Sequence, residues 1–148
     1  MGYNPLTEVI KMVKELVHDP LFLAQKSECA TKEDMAVARD LVDTLKAHKE
    51  TCVGMAANMI GVRKNIIAFD NNGTYTVMFN PVILQTAGEY EIEESCLSLL
   101  GGPRKTNRFY SIRVRWEDTA FRKQEKIFSG FTAQIIQHEI DHLNGVLI

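Results

Sequence analysis

Apolar residues at Leu6, Val9, Ile10, Val13, Leu16 and Val17 recur at helical spacing and then meet Asp19-Pro20, which predicts an amphipathic helix ended by the proline. A second helix fits Lys32 to His48, with Thr31 and Asp34 as a cap pair and Met35, Ala38, Leu41, Val42 and Leu45 as its inner face. From Asn65 the period changes. Asn65 to Asp70 and Tyr75 to Phe79, joined across Asn71, Asn72 and Gly73, read as a β-hairpin whose second strand stops at Pro81. Val82 to Leu84, Glu89 to Glu93 and Ser111 to Trp116 are further short strands, rich in β-branched and aromatic residues and expected to pair antiparallel. The last element runs from about Thr132 to Asn144, with Gly145 where a left-handed C-cap is usual. Helices flanking a run of strands make the fold class α+β: antiparallel β-sheets packed around a C-terminal helix, with helices towards the N-terminus.

At 148 residues, with 45% hydrophobic and 24% charged side chains, the chain fits one soluble domain, residues 1–148, with a real core. Lys+Arg 17 against Asp+Glu 19 gives a formal charge of -2, which provides no footprint for nucleic acid or an anionic membrane. Partners are therefore expected to be small or peptidic. No apolar run reaches the length of a membrane span, and the opening residues form an amphipathic pattern containing Lys11 and Lys14 rather than a secretory core. A cytoplasmic location is the expectation. Three cysteines, Cys29, Cys52 and Cys96, suggest thiols or thiolate ligands rather than a disulfide framework.

The chemistry concentrates near the end of the chain, in His138-Glu-Ile-Asp-His142. Two histidines four positions apart on a helix project from one face and can bind one divalent metal, with Glu139 beside them as base. That is the pattern of metal-assisted hydrolysis; ordinary helix histidines beside a solvated glutamate are the plainer alternative. Only Leu143 to Ile148 follow, so a third ligand has to come from upstream. Cys96 in Glu94-Ser-Cys-Leu-Ser98 suits best, because a cysteine in a short polar loop after a strand can present a thiolate and leave the fourth position to water. Cys29, before a capped helix, ranks last.

Glu94-Ser-Cys-Leu-Ser98 and Gln137-His-Glu-Ile-Asp-His-Leu-Asn-Gly145 resemble the second and third motifs of peptide deformylases, and Cys52-Val-Gly-Met-Ala-Ala-Asn-Met59 resembles their first. All three occur in the family's order, and the likeness covers most of the chain from about Asp19. The resemblance implies removal of the formyl group from the N-terminal formyl-methionine of nascent polypeptides, releasing formate. It implies Cys96, His138 and His142 as holders of one divalent metal ion and Glu139 as the catalytic base and acid. Family members use Fe(II), with zinc, nickel or cobalt as substitutes. Gly54, Leu97 and Met59 fall at the oxyanion and substrate positions. Val53, Phe131 and Ile135 are candidates for the methionine pocket, with core packing as their alternative. Asp141 is expected to lie behind the ligands, paired with Arg108.

Three positions depart from the family pattern. Cys52 and Ser95 stand where the family has glycine, and Met59 stands where it has glutamine. In the family that glutamine donates a hydrogen bond to the substrate oxygen as charge develops, beside a backbone N–H at the position of Leu97. A thioether has no donor, and losing one oxyanion donor typically costs about 10²–10³ in rate. The second reading is therefore a catalytically impaired, deformylase-like protein that binds metal and peptide. The chain stops at Ile148, where many deformylases continue into a C-terminal helix, so it resembles a short form.

Overall fold

The computed structural model describes residues 12–148, with the backbone alone for Leu100. Much of the predicted first helix lies outside the described residues. Its remainder, from Met12 to Val17, is not helical. The reason is that its backbone donors are used elsewhere: Met12 N–H bonds the Asp43 carboxylate, Lys14 N–H the Thr44 hydroxyl, and Val17 N–H the Met59 carbonyl. A one-turn helix, α1 (Pro20–Leu23), follows, capped by Asp19 with Pro20 in its first turn. Thr31 and Asp34 form the expected capping box on a short 3₁₀ turn, which leads into α2 (Met35–Ala47). Ala38, Leu41 and Leu45 are its buried face.

Five strands form one antiparallel sheet in sequence order among the described residues: β1 (Gly54–Ala56), β2 (Ile66–Asn71), β3 (Thr74–Cys96), β4 (Leu99–Glu117) and β5 (Lys123–Ser129). The hairpin between β2 and β3 turns on Asn72 and Gly73, both at positive φ, the geometry that matches strand twist. Pro81 does not end its strand. The ladder instead shifts register between Phe79 and Val82, and this bulge absorbs a residue that cannot donate to the ladder. The separate short strands expected from Val82 onward are parts of β3 and β4, which make one long hairpin closed across Leu97 and Ser98. The strand β5 was not visible in the pattern because most of it is polar and exposed.

The sheet is covered on both faces near β2. Ile67 and Phe69 point towards α3 (Gly130–Leu143), where Met78, Ile112, Val114, Phe128, Ile136 and Leu143 complete one core cluster. Ile66 and Ala68 point the other way, onto Leu41, Leu45, Met55 and Phe79 beneath α2. A strand buried on both faces is apolar throughout, which is why Ile66 to Phe69 shows no polar alternation. Helix α3 is pinned to β4 by Gln137, whose carboxamide oxygen accepts from Phe109 N–H at 2.8 Å and whose nitrogen donates to Phe109 O at 2.8 Å. Gly145, at φ +77°, ends it as expected.

Candidate active site

Two elements meet at the site: the end of β3, which carries Glu94 and Cys96, and the C-terminal half of α3, which carries His138, Glu139 and His142. Residues 94 and 96 share one side of a strand, and residues 138 and 142 share one side of a helix. The donor atoms of Cys96, His138 and His142 all lie within 4.8 Å of one another. Both histidines are buried, and their Nε2 atoms are 2.9 Å apart.

Glu94 sets the orientation of the first ring. Its Oε1 accepts from His138 Nδ1 at 2.8 Å, and an ionised carboxylate accepts only, so a proton is on Nδ1 and Nε2 faces His142. Burial alone would raise the Glu94 carboxyl, but the His138 and Arg108 hydrogen bonds overcome it and hold the group down at about 2. Arg108, itself buried, spans two carboxylates. Its Nη2 and Nε donate to Glu94 at 2.6 and 3.0 Å, and its Nη1 donates to Asp141 at 2.6 Å. Arg108 and Asp141 were paired from the sequence; Glu94, the residue between Arg108 and His138, was not. The available signal was its position two residues before Cys96. Gln134, one helical turn before His138, adds an N–H to Glu94 Oε2 at 2.9 Å. Asn58 donates to the His142 carbonyl at 2.9 Å and was likewise not foreseen.

Burial disfavours the charged imidazolium of His142, and the neighbouring His138 pushes it down further. His138 is held up despite burial by Cys96 and Glu94. Two ring nitrogens that face each other at this separation require a proton or a cation between them. Glu139 is fully enclosed: burial pushes its carboxyl up to about 7, and its Oε1 has no hydrogen-bond partner. A thiol and two imidazoles with converging donors, beside an unpartnered buried carboxylate oxygen, suit a divalent cation of borderline softness and one solvent molecule.

These groups open onto a cavity of about 290 Å³. Val53, Gly54, Met59, Leu97, Phe131 and Ile135, all expected near substrate, line it. They differ in depth. Ile135 and Met59 are buried, whereas Val53 and Phe131 are exposed by 39% and 63% and form its rim. Gly54 is a close-approach position: a Cβ there would lie 2.8 Å from Glu139 Oε2 and 2.7 Å from Ile135 Cγ2. Only glycine lets β1 pass so near the carboxylate. The Met59 sulfur accepts from Ala56 N–H at 3.5 Å, so its side chain folds back on its own turn. Ser95 lies outside the positive-φ region, so its side chain brings no backbone strain. The Cys52 thiol donates to Gly54 O at 2.9 Å, and burial, reinforced by the charges of Glu139 and Cys96, pushes it up to about 12. No helix among the described residues is long and apolar enough to cross a membrane.

Comparison with known proteins agrees with this geometry. The peptide deformylase of Clostridium beijerinckii is 56% identical over 137 residues, covering 93% of this chain and 100% of that protein. A crystal structure of a peptide deformylase from Legionella pneumophila superposes with a TM-score of 0.83 at 30% identity, covering 91% of this chain and 83% of that one. A Met-Ala-Ser-bound class I type b peptide deformylase from Acinetobacter baumannii gives 0.82 at 25% identity, with 93% and 97% covered. The family model for polypeptide deformylase matches residues 10–148. The chain belongs to the polypeptide deformylase family.

Proposed function

We propose that this protein removes the formyl group from the N-terminal formyl-methionine of nascent polypeptides in the cytoplasm, releasing formate. The observation that carries the reading is the convergence of Cys96, His138 and His142 beside the enclosed Glu139, at the floor of a cavity of about 290 Å³. Cys96, His138 and His142 would hold one divalent ion, Fe(II) in the cell, with zinc, nickel or cobalt able to replace it. When bound, such an ion supplies Lewis acidity and brings the pKa of water towards neutrality.

The chain's own residues do the rest. Glu94 fixes the His138 ring so that Nε2 faces the His142 ring, and Arg108 keeps Glu94 ionised by neutralising it in a buried setting. Glu139, raised towards neutral pH, takes a proton from the attacking water and returns it to the departing amine. Gly54 leaves room for the formyl group next to that carboxylate. Ile135 offers an apolar wall for the methionine side chain, and the exposed Val53 and Phe131 meet the peptide at the mouth. The backbone N–H of Leu97 is the donor for the substrate oxygen, since Met59 has none to give.

Formate release from formyl-Met-Ala tests this, measured anaerobically on metal-loaded protein beside Glu139→Ala. Turnover that depends on Glu139 supports the proposal, and equal rates refute it. The self-engaged Met59 sulfur favours a second reading, a metal- and peptide-binding member with impaired turnover. A Met59→Gln variant separates the two, because a large gain in turnover means that only the oxyanion donor was missing.

A further inference from the structure

Val17 and His18 tie together the two segments that carry the oxyanion positions. Val17 N–H donates to Met59 O at 2.8 Å, on the 3₁₀ turn Ala57–Ile60. The His18 ring reaches Ser98 O at 3.0 Å, one residue beyond Leu97. A carbonyl oxygen only accepts, so His18 donates through its Nδ1–H. The 3₁₀ turn is itself anchored to α3, because Asn58 donates to the His142 carbonyl at 2.9 Å. A chain of short contacts thus runs from His142 through Asn58, Met59, Val17 and His18 to the turn that presents Leu97. That turn lacks the backbone geometry that closes a tight hairpin unaided. Cys96 faces Leu99, so only Leu97 and Ser98 connect the strands, and neither is at positive φ. Two-residue connections normally use positive φ because it matches strand twist, as Asn72 and Gly73 do between β2 and β3. The ladder also shifts register between Glu94 and Cys96, immediately before the turn. Ser98 is fully buried, whereas His18 is exposed. His18 therefore clasps the turn from outside, and removing its ring opens no hole in the core.

We propose that His18 is a positioning residue: its bond to Ser98 O fixes the turn so that the Leu97 N–H meets the substrate oxygen as charge develops there. This rests on the deformylase reading, in which Leu97 supplies that donor and Met59 supplies none. Dependence on one donor makes alignment decisive, since such groups have to be held within about 0.5 Å of the productive geometry. His18 is neither a lining residue of the cavity nor a member of the three-donor group, so it acts only through the turn. The donor is used in the transition state, and its misplacement lowers kcat and kcat/KM together rather than raising KM.

The test compares zinc-loaded wild type, His18→Ala, His18→Asn and Glu139→Ala as full chains, reading formate release from formyl-Met-Ala, bound zinc and nitrogen-15 relaxation of the Leu97 amide. His18→Ala is expected to keep its zinc and to lose about 10–100-fold in kcat and in kcat/KM alike. Its Leu97 N–H order parameter is expected to fall from about 0.85 to below about 0.6. His18→Asn, whose side-chain N–H can stand in for Nδ1–H, restores rate and order. Wild-type turnover in His18→Ala, an unchanged Leu97 order parameter, or an asparagine variant no better than alanine overturns the proposal. Zinc loss from His18→Ala also overturns it, because the turn would then act on Cys96 rather than on Leu97. Failure of the deformylase reading looks different: wild type would be no faster than Glu139→Ala, and the proposal would fall with it.

Discussion

Replacing Arg108 by methionine would leave two carboxylates, the buried Glu94 and the partly exposed Asp141, without their shared cation. The side chains of Arg108 and Glu94 are only 4% and 6% exposed, and the guanidinium meets Glu94 at 2.6 Å and Asp141 at 2.6 Å. Removing one partner of such a buried pair typically costs about 3–5 kcal/mol. Holding the Glu94 carboxyl at about 2 instead of 4.5 corresponds to about 3 kcal/mol in all, at about 1.4 kcal/mol per pH unit, and His138 and Arg108 share it, so this route gives an upper bound for the Arg108 part. For a chain of this length each kcal/mol moves the melting temperature by about 2–4 °C, so Arg108→Met is expected to melt about 6–20 °C lower. The pH dependence has a defined sign. Because the Glu94 carboxyl is depressed on folding, its contribution is complete above about pH 4.5 and is lost as pH falls towards 2; in the variant the folded value moves back up, so this acid limb shrinks. Glu94→Gln/Arg108→Met should recover part of the deficit, since it removes the stranded charge as well. Thermal and urea unfolding of the metal-free chains between pH 3 and 8 measures all of this. A loss below about 1 kcal/mol for Arg108→Met, with an unchanged acid limb, would refute the assignment of Glu94 as an ion held in place by Arg108.

Gly54→Ala pushes a methyl group to 2.8 Å from the Glu139 carboxylate, so kcat for formyl-Met-Ala should fall at least about tenfold while folding costs about 1–3 kcal/mol; steady-state kinetics and urea melts check both. Met59→Gln restores a donor towards the substrate oxygen and should raise kcat by up to about 10²–10³-fold, read in the same formate assay. The pH profile of kcat/KM should show an acid limb from Glu139. Burial raises this carboxyl to about 7, a bound cation lowers it, and activity is lost as pH falls through the resulting value, which therefore lies below 7. Glu94→Gln exchanges the acceptor at His138 Nδ1 for a neutral amide and should weaken zinc binding by about 10–100-fold in a competition titration against a chromogenic chelator.

Helix α3 was legible in the sequence because the i, i+4 histidines obey the helical period and Gly145 marks its end. The same held for the cap at Thr31 and for the hairpin turn at Asn72 and Gly73, where local chemistry decides the conformation. What escaped was set by tertiary contact. The polar run of β5 becomes a strand because β4 offers it a ladder from Ser111 to Glu117. The stretch from Met12 to Val17 has a helical pattern, yet its N–H groups find Asp43, Thr44 and Met59 instead. At the site, helix spacing brought out His138, Glu139 and His142, whereas Cys96 was expected in a short polar loop after a strand and is the last residue of β3 itself. Glu94 and Gln134 were missed because their roles depend on how far α3 stands from β3, which no single element encodes. Rim and interior were likewise indistinguishable in the sequence: Phe131 and Ile135 share a helical stripe but differ tenfold in exposure.

X-ray absorption spectroscopy of the zinc-loaded chain addresses the metal set directly. One sulfur at about 2.3 Å and two imidazole nitrogens at about 2.0–2.1 Å, with a remaining light atom from solvent, is the shell expected from Cys96, His138 and His142. A shell without sulfur, or one unchanged by Cys96→Ser, would contradict it.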